Sequence, residues 1–254
     1  MGKTRLLIGS CVCQTPRILE KFLQSLKNLE LSAYETVFML ADDNQISASS
    51  EMLRGAELSG KTVILDPPPR ETDYYTNETT HFWNNSLVMR VADLKNAIIA
   101  HAIEEGFDYL FLIDSDLLVN PNLINHLMAQ NKAIVSEIFW TRWQPDTLPM
   151  PNAWMYDMYE MAHPANEPDV RRQLMIDFFE RLSVPGVYEV GGLGACTLLS
   201  VPALKAGLSF LPVRNVSFWG EDRWFCIRAA ALGFPLYMDT HYPAKHLYRE
   251  SDVE

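Results

Sequence analysis

The sequence has little cysteine, a deficit of basic charge and no long apolar run. Only four cysteines occur among its 254 residues: Cys11, Cys13, Cys196 and Cys226. None forms a CxxC pair, and Cys11-x-Cys13 has no matching second pair, so a cysteine-rich zinc module is not indicated. The four read as buried thiols in a reducing compartment, and the expected location is cytoplasmic. Lys and Arg number 21 against 32 Asp and Glu, a formal charge of −11. That balance excludes broad nucleic-acid binding, which needs a basic surface, but leaves room for a local basic pocket holding a phosphate. No apolar stretch approaches the ~20 residues of a membrane span. Met1 to Arg5 runs directly into a strand-like segment and lacks a signal-peptide pattern. Neither an internal repeat nor a low-complexity linker is present, so one continuous domain over 1–254 is expected.

Hydrophobic residues, by contrast, make up 48% of the chain, enough for a substantial core. The pattern alternates strands and helices. Arg5 to Val12 predicts a buried strand, and Thr15-Pro16 an N-cap and first helical residue. Ile18, Phe22, Leu26 and Leu29 follow at helical spacing. Tyr34 to Leu40 predicts a second strand running into Asp42-Asp43, residues 47–59 a short helix, and Thr62 to Leu65 a third strand. Residues 70–85 show no period. Leu87, Val91, Leu94, Ile98 and Ala102 mark one helical face, closed by Gly106. Tyr109 to Ile113 is a strand, Leu123 to Met128 a helix, and Ala133 to Phe139 a strand. After an irregular stretch, 140–168, the pattern predicts a helix through Arg171, strands at 188–190 and 195–201, and helices after Pro202 and Arg223. A last short strand spans Leu236 to Met238. This is an α/β chain with a mostly parallel sheet and crossover helices.

The stretch with the most chemical content is Asp114-Ser115-Asp116, which ends the strand Tyr109 to Ile113. Ligands of α/β folds bind beyond the carboxyl ends of strands. Two carboxylates one residue apart share a face if the strand continues, and they suit a hard divalent cation completed by substrate phosphates. Taken alone, the pair is equally consistent with an Asx-turn and solvated acids. A second acidic pair, Glu221-Asp222, starts a helix, where the dipole alone would favour acids. Gly191-Gly192-Leu193-Gly194 lacks the GxGxxG spacing and reads either as a close backbone approach to ligand or as a bend. Trp140, Trp143, Trp154, Tyr156 and Tyr159 crowd the irregular middle, as acceptor surface or as core.

In order along the chain, Arg90 to Asn96, Asp108 to Pro121, Gly220 to Gly233 and His246 together resemble a GT-A glycosyltransferase. The order is similar to family-2-type enzymes, with some resemblance to the mannan-polymerase type of α-mannosyltransferase. The resemblance spans roughly residues 5–246. It implies a Rossmann-like nucleotide-sugar half, about 1–120, continuous with an acceptor half, about 121–254. It further implies a UDP- or GDP-sugar donor, a carbohydrate or other hydroxyl acceptor, and Mn²⁺ (or Mg²⁺) held by Asp114, Asp116 and His246, with His241 as the alternative histidine. Donor contacts are expected at Cys11, Thr15, Asp42, Asp43, Arg90, Lys95, Asp114 and Ser115. The start Ser10 to Arg17 departs from the family's usual one, which leaves the base open between uridine and guanosine. Asp222 is the expected general base, its pKa raised beside Trp219 and Trp224, with Glu221 the alternative. Inverting transfer is favoured; a retaining, mannan-polymerase-like transferase, a catalytically silent carbohydrate-binding GT-A module and an aspartyl phosphohydrolase are the rivals.

Overall fold

The computed structural model describes residues 2–216 and 220–253. Its first half follows the predicted alternation: β1 (Thr4–Val12), α1 (Pro16–Lys27), β2 (Tyr34–Asp42), α2 (Ser47–Arg54) and β3 (Lys61–Leu65). The three strands are parallel and adjacent. Alternate side chains of β1 enter different cores: Leu6 and Ile8 on one face of the sheet, Leu7 on the other. α1 buries Leu19, Phe22 and Leu26 against the first of these, a burial that contributes roughly 1.5–3 kcal/mol per large side chain. Thr15 occupies the N-cap position, but its side chain makes no capping bond.

A two-residue pairing of β4 (Tyr75–Thr76) with β5 (His81–Phe82) interrupts the stretch that showed no period. α3 (Asn85–Glu104) starts at Asn84, whose side chain accepts from the Leu87 N–H. It stops at Gly106, which takes φ 70°, a left-handed conformation that glycine adopts without a Cβ clash. β6 (Tyr109–Ile113) then pairs with β1 in parallel. After β6 come β7 (Leu117–Leu118), α4 (Leu123–Ala129), β8 (Ile134–Thr141), β9 (Met150–Pro151), β10 (Ala153–Trp154), a 3₁₀ turn at Asp157–Tyr159 and α5 (Pro168–Leu182). The rest is β11 (Val187–Val190), β12 (Gly192–Leu193), β13 (Cys196–Ser200), α6 (Val201–Lys205), α7 (Glu221–Ala231), β14 (Leu236–His246) and a 3₁₀ turn at Glu250–Asp252.

The principal sheet runs β11-β14-β8-β13-β6-β1-β2-β3, with β7 pairing with β14 and β9 with β8. β13 is antiparallel to both neighbours, β6 and β8, and β11 is antiparallel to β14; the remaining pairs in that row are parallel. The fold is α/β with a mixed, mostly parallel sheet between helices, as expected. One strand is much longer than predicted. β14 runs on from Met238 to His246 through a register shift against β8 between Asp239 and Ala244. Polar residues at 239–241 and Pro243 hid this continuation, because an irregular strand breaks the alternation on which prediction rests. The described residues contain no helix long and apolar enough to cross a membrane.

Candidate functional site

The ends of β1, β2 and β6, the starts of α3 and α7, and the loop before α3 surround a cavity of about 610 Å³. Asp114, Ser115 and Asp116 line it together with Glu221, Asp222 and His246. The two acids lie in a turn past the end of β6, closed by the Leu117 N–H donating to the Asp114 carbonyl at 3.3 Å. The turn, not strand parity, therefore brings both to the cavity.

Asp116 is tied twice to the end of β14 and the residue after it. The Leu247 N–H donates to its carbonyl at 2.8 Å, and its Oδ2 lies 3.3 Å from His246 Nε2. The other face of that imidazole is held at Nδ1 by the Thr141 hydroxyl, 2.8 Å away. Asp116 Oδ1 is buried and has no hydrogen-bond partner. Burial pushes the Asp116 carboxyl up, but His246 outweighs it and holds the pKa below the usual range. The same contact, working against burial, raises His246. Asp114 behaves differently. Burial among Asp116, Asp222 and Glu221 pushes it up to about 7, against the pull of Lys95. A buried carboxylate oxygen without a donor is costly, and an imidazole beside it completes a mixed N/O donor set of the kind a divalent transition metal accepts.

Glu221 and Asp222 open α7 behind Gly220, whose φ is 141° and whose missing Cβ leaves room for the Tyr159 hydroxyl. Lys95 reaches them from α3. Its Nζ donates to Glu221 Oε1 at 3.0 Å and to Asp222 Oδ1 at 2.9 Å, and lies 4.0 Å from Asp114 Oδ1. Burial pushes Asp222 up to about 6, with Lys95 opposing it and the Glu221 charge adding to it. Trp224 is buried, whereas Trp219, the other residue expected to raise this pKa, lies outside the described residues.

Of the expected donor contacts near the ends of β1 and β2 and the start of α3, Cys11, Asp43 and Arg90 line the cavity. Arg90 donates to Asp43 Oδ1 through Nε at 2.8 Å and Nη2 at 2.6 Å. Arg70, which the sequence did not single out, reaches Asp43 Oδ1 through Nε at 3.1 Å and keeps a buried, unpartnered Nη1. Burial pushes the Cys11 thiol up to about 12, so it stays neutral. Three expected donor contacts do not line the cavity: Thr15, Asp42 and Lys95. Asp42 is instead occupied by the Asn44 and Ser50 side chains and by Arg54 at 2.9 Å, as a turn residue. Lys95 is buried beneath the acids rather than facing a phosphate.

Further expectations are corrected. Gly191 and Gly192 make room for β10 and the residue after it: a Cβ on Gly191 would run into the Met155 carbonyl, and one on Gly192 into the Trp154 ring. Of the five central aromatics, Trp143, Trp154 and Tyr159 line the cavity, while Trp140 packs edge-on against Phe179. His241 is away from the cavity and contacts Asp239. Tyr74, His81, Trp83 and Tyr248 were missed, and all four line the cavity. His81 Nε2 lies 2.7 Å from the Tyr248 carbonyl and its ring stacks on the Tyr248 ring at 3.9 Å. These residues come from segments without periodicity, so only their density of aromatics marked them.

A family model described as "Glycosyltransferase family 25, N-terminal domain" matches residues 3–144, more than half of the chain and including Asp114 to Asp116. The chain belongs to glycosyltransferase family 25. Among curated family 25 relatives, procollagen galactosyltransferase 2 of Mus musculus is 29% identical over 126 residues, 48% of this chain and 20% of that protein. Procollagen galactosyltransferase 1-A of Xenopus laevis is 26% identical over 129 residues, 49% of this chain and 21% of that protein. The chain thus spans about a fifth of the length of the curated relatives it matches. Among solved structures, the mannosyltransferase PcManGT from Pyrobaculum calidifontis, in complex with GDP-Man and Mn²⁺, aligns with a TM-score of 0.58 at 12% identity, covering 99% of this chain and 59% of that one. S. aureus TarS 1-349 aligns with a TM-score of 0.51 at 13% identity, over 96% of this chain and 60% of that one. At such identities the likeness is one of fold, and the family 25 chain has the GT-A type of fold.

Proposed function

We propose that this family 25 chain is a metal-dependent glycosyltransferase that moves a sugar from a nucleotide-diphosphate sugar to a hydroxyl acceptor. The observation that carries the reading is the buried, unpartnered Oδ1 of Asp116 beside His246, in the same cavity as Asp114 and Asp222. Asp116, His246 and Asp114 are the residues that would hold the cation, Mn²⁺ or Mg²⁺, with the imidazole favouring Mn²⁺. Bound there, it supplies positive charge against the departing nucleoside diphosphate. The chain's own residues do the rest. Arg70 and Arg90, fixed by Asp43, present guanidinium groups to the nucleotide side. Lys95 fixes the Glu221-Asp222 pair by occupying one oxygen of each.

Asp222 is the general base of an inverting transfer. Its Oδ1 is held by Lys95, while Oδ2 lies toward the Gly194 side of the cavity and is the oxygen that takes the acceptor hydroxyl's proton. A base with a pKa of about 6 is ionised at neutral pH and still close enough to it to accept a proton effectively. A retaining transfer is the second reading. It is favoured by the Lys95 contact, which lowers the basicity of Asp222. The relatives' name makes a galactosyl donor the first to try. Treating 1–254 as one GT-A unit is supported by the sheet that continues from β3 to β11. The four unpaired thiols support a cytoplasmic location.

The test is a thermal-shift screen of UDP- and GDP-sugars with and without Mn²⁺, followed by turnover and NMR of the product anomer. A Mn²⁺-dependent rise with one donor, and an inverted product, is the expected result. Binding without metal and without turnover on any acceptor would instead make the chain a carbohydrate-binding module.

A further inference from the structure

Away from the transfer cavity, β8, β14 and α4 bring a second set of donor atoms together. His126 Nε2 lies 2.8 Å from Asp239 Oδ2, and His241 Nδ1 lies 2.9 Å from Asp239 Oδ1. The ligand atoms of His126, Asp239 and His241 all lie within 4.8 Å of one another, and none of the three residues lines the cavity. Asp239 is fully buried. Glu137 is its register partner on β8 and is also fully buried. Paired residues of adjacent parallel strands present their side chains to the same face. Glu137 Oε1 accepts from the Tyr242 N–H at 3.2 Å, but Oε2 has no hydrogen-bond partner.

We propose that His126, Asp239 and His241 form a structural zinc-type site separate from the transfer cavity, with the buried Glu137 beside Asp239. Two imidazoles and a carboxylate, with a further carboxylate oxygen lacking a donor, suit Zn²⁺ or a similar transition metal and not Mg²⁺ or Ca²⁺, which prefer all-oxygen ligands. Two buried carboxylates side by side are costly unless one is protonated or a cation sits between them. The placement gives the site a purpose. It joins α4, which follows Asp114 to Asp116 in the chain, to β14 where its register against β8 shifts. β14 ends at His246. A metal there would fasten the irregular part of that strand.

The experiment uses the full chain, stripped with EDTA and titrated with ZnCl₂ alone, read by elemental analysis and thermal melting. One zinc is retained per chain at this site, and at a free zinc concentration 100-fold above Kd the Tm rises by roughly 5–10 °C. His241→Gln, on a partly exposed side chain, and His126→Gln each remove that zinc and the Tm rise. Asp116→Ala and His246→Gln keep both. Absence of stoichiometric zinc in the wild type overturns the proposal. So does loss of the zinc in Asp116→Ala with retention in His241→Gln, which would assign the ion to the transfer cavity. No nucleotide or turnover is involved, so failure of the transferase reading leaves this result unaffected.

Discussion

Replacing Lys95 by methionine removes the ammonium that Glu221 and Asp222 share, while keeping an unbranched apolar stem one atom shorter. Its Nζ contacts both carboxylates at 3.0 and 2.9 Å and sits 5.0 Å from the centre of the Phe210 ring. The lysine is buried, and the acids around it hold its pKa well above the ordinary value despite the burial. It is therefore charged across the whole neutral range. Removing one partner from a buried ion pair costs about 3–5 kcal/mol, because the remaining charges lose their compensation. For a chain of this size that is a fall in Tm of roughly 6–20 °C. The loss has a pH signature. Asp114 and Asp222 already titrate high, at about 7 and about 6. Without the ammonium both rise further, so at pH 5 these two are protonated and less charge is left unpaired than at pH 8. The Tm difference between wild type and Lys95→Met is accordingly large at pH 8 and small at pH 5. Circular-dichroism melts at the two pH values, with Lys95→Arg as the charge-retaining control, make the comparison. Equal melting at pH 8, or a deficit of the same size at pH 5, would refute the electrostatic account of this cluster.

Asp116→Ala removes the oxygen beside His246 and should abolish Mn²⁺-dependent nucleoside diphosphate binding; calorimetry showing an unchanged Mn²⁺ requirement would sink the assignment. Asp222→Asn should keep donor affinity and lower kcat by about 10²–10⁴-fold, the usual contribution of a positioned base; retained turnover would remove Asp222 from that role. At saturating Mn²⁺, kcat/KM of the wild type should fall about tenfold per unit below pH 6, since the base is inactive once protonated, and a flat profile from pH 5 to 7 would count against it. Gly192→Ala should cost about 1–3 kcal/mol in chemical denaturation, because its Cβ runs into the Trp154 ring; an unchanged midpoint would show that β10 can move aside.

Much of this is legible in the linear chain, and particular residues show why. Leu6 to Ile8 and Tyr109 to Ile113 are continuous apolar runs of strand length, and buried parallel strands require such runs. Asp114 and Asp116 follow one of them immediately, so their position at the carboxyl end of a strand is a local fact. Asp43 and Arg90 were legible as donor-side candidates, but not that the two would be bonded to each other. Arg70 was invisible, because a lone arginine in a stretch without period carries no local signal. Lys95 was read as a phosphate contact because a helical pattern says which face a lysine occupies but not what lies opposite it.

Local periodicity and turn chemistry alone determined the alternation of elements, the strand that ends in the two acids and the helix that opens with Glu221-Asp222, since each depends on neighbours a few residues away. Tertiary structure alone decided which charges meet. Lys95 and Asp222 are brought together by α3 packing against the start of α7. Asp116 gains His246 because β14 extends past its register shift to reach it. His241, on that same strand, is carried instead to Asp239 and His126. The energy of an ion pair or a ligand set depends on separations of a few ångströms between residues distant in the chain, and no pattern along the chain records those separations.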